Sequence, residues 1–210
     1  MRQSDVDTDT TLLNVAVIPS RDVALSVERL SAELANHGGL FQIDGVHKLA
    51  HLTLYMARFA KGDLDRVLKR IAKVATEFPS LPVQHSGYFL TPGKYYEASY
   101  GRTPELLKLH HSIIDSVSPC RYSPGDPVRE EYFGPYSRGQ REQAKRYGYD
   151  LAGEMYRPHI TITRFSEPPG IELPTAGDDL SFRATTIGVY QADSFGAVTG
   201  QLGMWDLVHR

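Results

Sequence analysis

The chain has 210 residues, 41% of them hydrophobic and 23% charged, which supplies a core at this length without a disulfide or metal staple. That composition excludes global disorder, collagen and coiled coil. Lysine and arginine number 23 against 25 aspartates and glutamates, a net charge of −2, so a protein gripping long duplex DNA nonspecifically is excluded while a locally held anion is not.

Residues 1–10, MRQSDVDTDT, are polar and acidic and read as a flexible tail. They hold no apolar stretch, so no secretory signal is read. No run approaches the ~20 apolar residues that cross a bilayer, and no membrane partner is expected. The one cysteine, Cys120, has no internal partner, which fits a reducing compartment; the expected location is the cytoplasm.

Residues 12–19, LLNVAVIP, are β-branched and stopped by proline, the pattern of a strand. Residues 21–36 place Val23, Val27, Leu30 and Leu34 at helical spacing, and His37-Gly38-Gly39 ends that helix. Residues 49–59 alternate as a second strand. Leu64, Val67, Leu68, Ile71, Val74 and Phe78 make the apolar face of a second helix, closed by Pro79. Strands are predicted at 83–90 and 95–100, with Thr91-Pro92-Gly93 as the turn between them. Thr103 caps a third helix that starts with Pro104 and carries Leu106, Leu109, Ile113 and Val117 on one side. An irregular insert follows at about 119–150, broken by Pro119, Pro124, Pro127 and Pro135, with one short helix started by Ser137 and Gln140 as a capping box. Strand character returns at 157–165, 180–191 and 201–208. Helices are too few for a TIM barrel and do not alternate regularly with strands, so residues 11–210 read as an α+β fold with largely antiparallel sheet.

Two segments repeat one pattern 108 residues apart: His51-Leu52-Thr53-Leu54 and His159-Ile160-Thr161-Ile162. Each lies in a predicted strand, where alternate side chains share a face. Strict alternation puts His51, Thr53 and Tyr55 together, opposite Leu52, Leu54 and Met56, and turns Arg164 away from His159. Facing each other across a cleft, two such strands would present two imidazoles and two hydroxyls to one small volume. One neutral histidine would take a proton from an attacking hydroxyl or water; the other, protonated, would give one to the departing oxygen. The threonines would hold the non-bridging oxygens of a phosphate. Nothing in this scheme requires a metal or another cofactor.

The paired motifs resemble the two-histidine (2H) phosphoesterase superfamily, with its 2′-5′ RNA ligase-like branch. Pro158-His159-Ile160-Thr161-Ile162-Thr163-Arg164 is similar to that family's Pro-His-[Ile/Val]-Thr-[Leu/Ile]-x-Arg, preceded by Tyr147-Gly148-Tyr149 and Tyr156. The resemblance spans roughly residues 12–208. It implies two similar lobes, each a small antiparallel sheet with helices outside, around a central cleft. It also implies metal-independent action on 2′,3′-cyclic phosphates or 2′-5′ linkages. By the same resemblance His51 and His159 are the acid/base pair, Thr53 and Thr161 bind phosphate, and Arg164 matches the family's downstream arginine. Tyr55 is a further candidate for contact with a base. The expected partner is a nucleotide or an RNA end, and the expected state is a monomer. Three other readings remain: an RNA-end ligase or exonuclease, a nucleotide-binding module of this fold without turnover, and a fold in which both strands are simply core.

Other signals point to bland roles. Zinc would want a third and fourth ligand; there is no Cys pair and no His-Glu-x-x-His, and the adjacent His110 and His111 point apart on a helix. His37, His47, His85 and His209 read as loop or surface residues. Cys120 lacks a nucleophile signature, and no P-loop or Gly-x-Ser-x-Gly is present. Arg138, Arg141, Lys145 and Arg146 against Glu142 form a local basic run that reads as a solvated helix face. Tyr95, Tyr96, Tyr100, Tyr132, Phe133 and Tyr136 read mainly as core.

Overall fold

A computed structural model describes residues 9–122, 134–173, 179–193 and 195–208. The first eight residues, and residues 123–133 of the expected insert with Tyr132 and Phe133, lie outside the described residues. Strand β1 (Thr10–Val17) starts one residue inside the expected tail. Helix α1 (Arg21–Ala35) follows and buries Val23, Val27, Ser31 and Leu34, a stripe at i+4 and i+3 spacing with one polar member. Strand β2 (Leu52–Ala60) leads through a 3-10 turn into α2 (Leu64–Glu77), which buries Val67, Ile71, Val74 and Ala75.

The predicted strand 83–90 is two strands, β3 (Leu81–Val83) and β4 (His85–Leu90). Strand β5 (Tyr95–Tyr100) and helix α3 (Pro104–Val117) come next, with the Thr103 side chain accepting from the Leu106 amide as N-cap. In the insert, Ser137 and Gln140 form the predicted capping box of α4 (Arg138–Tyr147). Gly148 ends that helix at φ +73°, a left-handed C-cap that a side chain would strain. Strand β6 (His159–Arg164) carries the second motif. The predicted strand 180–191 is likewise two, β7 (Phe182–Ala184) and β8 (Thr186–Ala192), and β9 (Val198–Asp206) begins earlier than expected.

Both splits have one cause. Strands β3 and β7 leave the main sheet and pair with each other, so each strand run must break where the chain turns between sheets. The main sheet has the order β4-β5-β6-β2-β1-β8-β9, and every pairing in it is antiparallel. It consists of two half-sheets, β4-β5-β6 and β2-β1-β8-β9, the counterparts of the two expected lobes. A single rung, Leu52 to Ile160, joins them. Helix α1 packs on β6 and α3 packs on β2, while α2 covers β8 and β9 and leans on α3. The apolar face of the sheet is buried under these helices, and Leu13, Val15, Leu52, Leu54, Ile160 and Ile162 are wholly enclosed. The opposite face is left for the site.

Candidate functional site

The rung that joins the half-sheets lies between the two motifs. Leu52 pairs with Ile160 in antiparallel register. One step either way along that register sets His51 against Thr161 and Thr53 against His159. The two motifs are thus related by a local two-fold axis through the Leu52–Ile160 rung. Their polar side chains stand on one face, and all four line a single cleft of about 760 Å³.

Each imidazole is held in the same way. His51 Nδ1 is 2.8 Å from the Leu49 carbonyl, and His159 Nδ1 is 2.7 Å from the Arg157 carbonyl, in each case two residues upstream. A carbonyl only accepts, so Nδ1 carries the proton in both neutral rings and Nε2 is left for the cleft. Burial pushes the His51 pKa down to about 4; the Leu49 carbonyl works against this, the nearby His159 adds to it, and Asp193 opposes it. His51 is therefore neutral at physiological pH.

Strict alternation fails just after each motif, in the same way. Val15 pairs with Tyr55 and Ala16 with Thr53, so Leu54 has no partner across the ladder. Tyr96 pairs with Thr163 and Glu97 with Thr161, so Ile162 has none. A β-bulge at the fourth position of each motif reverses the faces beyond it. Met56 and Arg164, each five residues after a histidine, are turned into the cleft. Tyr55 and Thr163 are turned away. Tyr55 is wholly buried, donates to the Tyr147 carbonyl at 2.5 Å and packs edge-on against Tyr149. Thr163 is buried and donates to the Phe41 carbonyl at 2.8 Å. This corrects both alternation readings: Tyr55 does not share the face of His51, and Arg164 does not point away from the site.

Other residues complete the walls. The Asn14 amide nitrogen, from β1, donates to Thr53 Oγ1 at 3.0 Å and lies 3.3 Å from His51 Nε2. It also reaches the Gly196 carbonyl at 3.4 Å, while its own Oδ1 is buried with no partner among the described residues. Glu97, from β5, places Oε1 3.6 Å from His159 Nε2 and pairs through Oε2 with the Arg157 guanidinium. Arg164 donates to the Gly93 carbonyl at 3.2 Å; its guanidinium lies 5.1 Å from the Tyr95 ring centre and 5.9 Å from that of Phe195. Lys48 lines the same cleft, 3.9 Å from Asp193.

The sequence signal for Asn14 and Glu97 was present but faint: Asn14 is the lone polar residue in LLNVAV, and Glu97 the lone charged residue in YYEASY. No local pattern announces Phe195. The basic run on α4 does not line the cleft; Arg138 pairs instead with Glu142 on the exposed side. Among the described residues no three of His, Cys, Asp and Glu converge in a group able to hold a metal ion. No helix among them is long and apolar enough to cross a membrane.

The chain is similar in fold to TT0787 of Thermus thermophilus, at a TM-score of 0.63 and 17% identity, over 95% of this chain and 99% of that one. It is also similar to E. coli LigT in complex with 3′-AMP, at a TM-score of 0.56 and 16% identity, over 96% and 100% of the two chains. LigT in complex with phosphate matches at 0.55 and 16%, with the same coverage. No curated protein sequence matches the chain. A family model described as the 2′-5′ RNA ligase superfamily matches residues 19–194. Joined to the two His-x-Thr strands and the fold around them, that match places the chain in the 2′-5′ RNA ligase superfamily, among the 2H phosphoesterases.

Proposed function

We propose that this protein is a metal-independent phosphodiesterase acting at a ribose, on a 2′,3′-cyclic phosphate or a 2′-5′ linkage. The observation that carries this reading is the matched tethering of the two imidazoles. Each Nδ1 is committed to a backbone carbonyl, and each Nε2 faces the same cleft. Each Nε2 keeps only a polar neighbour from the cleft wall, the Asn14 amide beside His51 and the Glu97 carboxylate beside His159, and neither a structural role nor a binding module calls for two imidazoles matched in this way. E. coli LigT has been solved in complex with 3′-AMP and with phosphate, which supports a nucleotide-sized phosphate ester here.

In the proposed reaction a water oxygen bonds to phosphorus and His51 Nε2 takes its proton. The bond from phosphorus to one ribose oxygen breaks, and that oxygen takes the proton of His159 Nε2. A cyclic phosphate gives a nucleoside monophosphate, a 2′-5′ linkage gives a monophosphate and the departing nucleoside with its hydroxyl restored, and the two rings exchange their proton with solvent before the next turnover. His51 suits the base role because burial keeps it unprotonated. His159 suits the acid role because a protonated ring there would face the Glu97 carboxylate. Thr53 Oγ1 already accepts from Asn14, so its own proton is available to a non-bridging phosphate oxygen, as is that of Thr161. Arg164 and Lys48 supply positive charge at the rim. With a ribose hydroxyl in place of water, the same proton traffic would join two ends.

The test is turnover of 2′,3′-cyclic nucleotides and 2′-5′ dinucleotides in EDTA by the native chain, His51→Ala and His159→Ala. Each substitution is expected to cost ~100- to 10,000-fold in kcat with the fold intact. Native turnover that survives both substitutions would overturn the reading.

A further inference from the structure

The two residues left without a ladder partner at the bulges, Leu54 and Ile162, are wholly buried. A buried carbonyl without a donor is costly. Ser31 of α1 donates its hydroxyl to the Ile162 carbonyl at 2.7 Å. His110 of α3 meets the Leu54 carbonyl through Nδ1 at 2.6 Å. Both side chains are wholly buried, and each sits on the helix that packs against the bulged strand.

Each of the two also accepts a bond from the cleft wall. Ser31 Oγ accepts from the Ile43 amide at 2.8 Å, and Ile43 lines the cleft. His110 Nε2 accepts from the Gly153 amide at 2.9 Å, between the cleft-lining Leu151 and Met155. These contacts fix the tautomer: a carbonyl partner requires Nδ1–H, and an N–H partner requires a bare Nε2. Burial lowers the His110 pKa to about 4, so the ring keeps that neutral form. Tyr156 stacks on it at 3.8 Å and adds its own hydroxyl to the Thr53 carbonyl at 3.2 Å.

We propose that Ser31 and His110 are matched positioning residues, one per motif, each holding a β-bulge in place and tying it to the cleft wall. Without the bulge a strand of period two would return to regular register, and one residue of slip exchanges its faces. Arg164 or Met56 would leave the cleft, or the paired His and Thr would. The two residues touch no substrate; they act through the backbone that carries the groups which do. This inference rests on the phosphodiesterase reading for its kinetic test, but not for its binding test.

The experiment compares Ser31→Ala, Ser31→Thr and His110→Phe with the native chain. It measures kcat, melting temperature and the affinity for inorganic phosphate by calorimetry. Ser31→Ala removes only the hydroxyl, and His110→Phe keeps a ring against Tyr156. Both are expected to lower kcat by ~10- to 100-fold well below their melting temperatures, the scale of a small misplacement of reacting groups. Both are expected to weaken phosphate binding, and Ser31→Thr, which keeps the hydroxyl, to restore most of both. Variants that melt earlier but keep native kcat and phosphate affinity would overturn the proposal and leave a purely structural role. Native turnover insensitive to His51→Ala and His159→Ala would overturn the functional reading alone, with phosphate affinity still reporting on the two clamps. A native chain with neither turnover nor phosphate binding would overturn both.

Discussion

Acidification from pH 7 to pH 4 will remove a calculable part of the folding free energy, because the fold keeps two imidazoles neutral. Burial lowers both His51 and His110 from the ordinary 6.5 to about 4. Between those values the unfolded chain binds more protons than the folded one, so falling pH favours unfolding. The stability tied to each ring is fully present above pH 6.5, declines through the window from 6.5 to 4, and is gone below it. At 1.36 kcal/mol per pKa unit, each ring accounts for about 3 kcal/mol over the whole window. Two rings together rival the ~5–15 kcal/mol that holds a typical domain. The assay is urea unfolding at pH 7, 6, 5 and 4.5 at constant ionic strength. Mid-window the native chain should lose about 3 kcal/mol per pH unit from these two groups, and His51→Ala or His110→Phe about half of that. His85, also lowered by burial, adds its share to native and variant alike. Asp44 and Asp179 are held below the ordinary carboxylate value by hydrogen bonds and titrate beneath this window. A variant whose slope equals the native slope would refute the assignment of that ring.

Two further outcomes follow from the bulges. Arg164→Ala is expected to raise KM for a nucleotide substrate by ~10- to 100-fold, the scale of a lost charge-assisted contact, with little change in melting temperature; an unchanged KM would remove Arg164 from the binding site. Tyr55→Phe is expected to destabilise the fold by about 1–3 kcal/mol in urea titration, since the Tyr147 carbonyl loses its donor, while kcat and KM stay native. A kinetic loss without a stability loss would instead put the Tyr55 hydroxyl on the substrate.

The sequence announces what is local and periodic. The stripe from Val23 to Leu34, the Thr103 and Ser137 caps and the alternation around both motifs each reflect one element seeking one buried face, and all are legible without the fold. The split strands are different. Nothing near Gln84 or Thr185 says that β3 and β7 will find each other about 100 residues apart, since that pairing is a property of the whole chain. The bulges escape for another reason: Leu52, Leu54, Tyr55 and Met56 are all apolar or aromatic, so the run looks equally buried in either register. Only the ladder partner in β1 reveals the extra residue. The turn carrying Phe195 is organised by Asp193 Oδ1, which accepts from the amides of Phe195 and Ala197, a loop-specific bond with no periodicity to read.

The rung between Leu52 and Ile160 has a consequence for substrate polarity. A phosphate lying on its two-fold axis meets the same imidazole and the same hydroxyl whichever way round its ester is presented. The motifs themselves therefore cannot tell the attacked side from the departing side. That choice falls to the neighbouring strands, which break the equivalence: β1 sets an uncharged amide beside His51, and β5 sets a carboxylate beside His159. On the proposed reaction, directionality would then be set by two residues outside the repeated motif, Asn14 and Glu97.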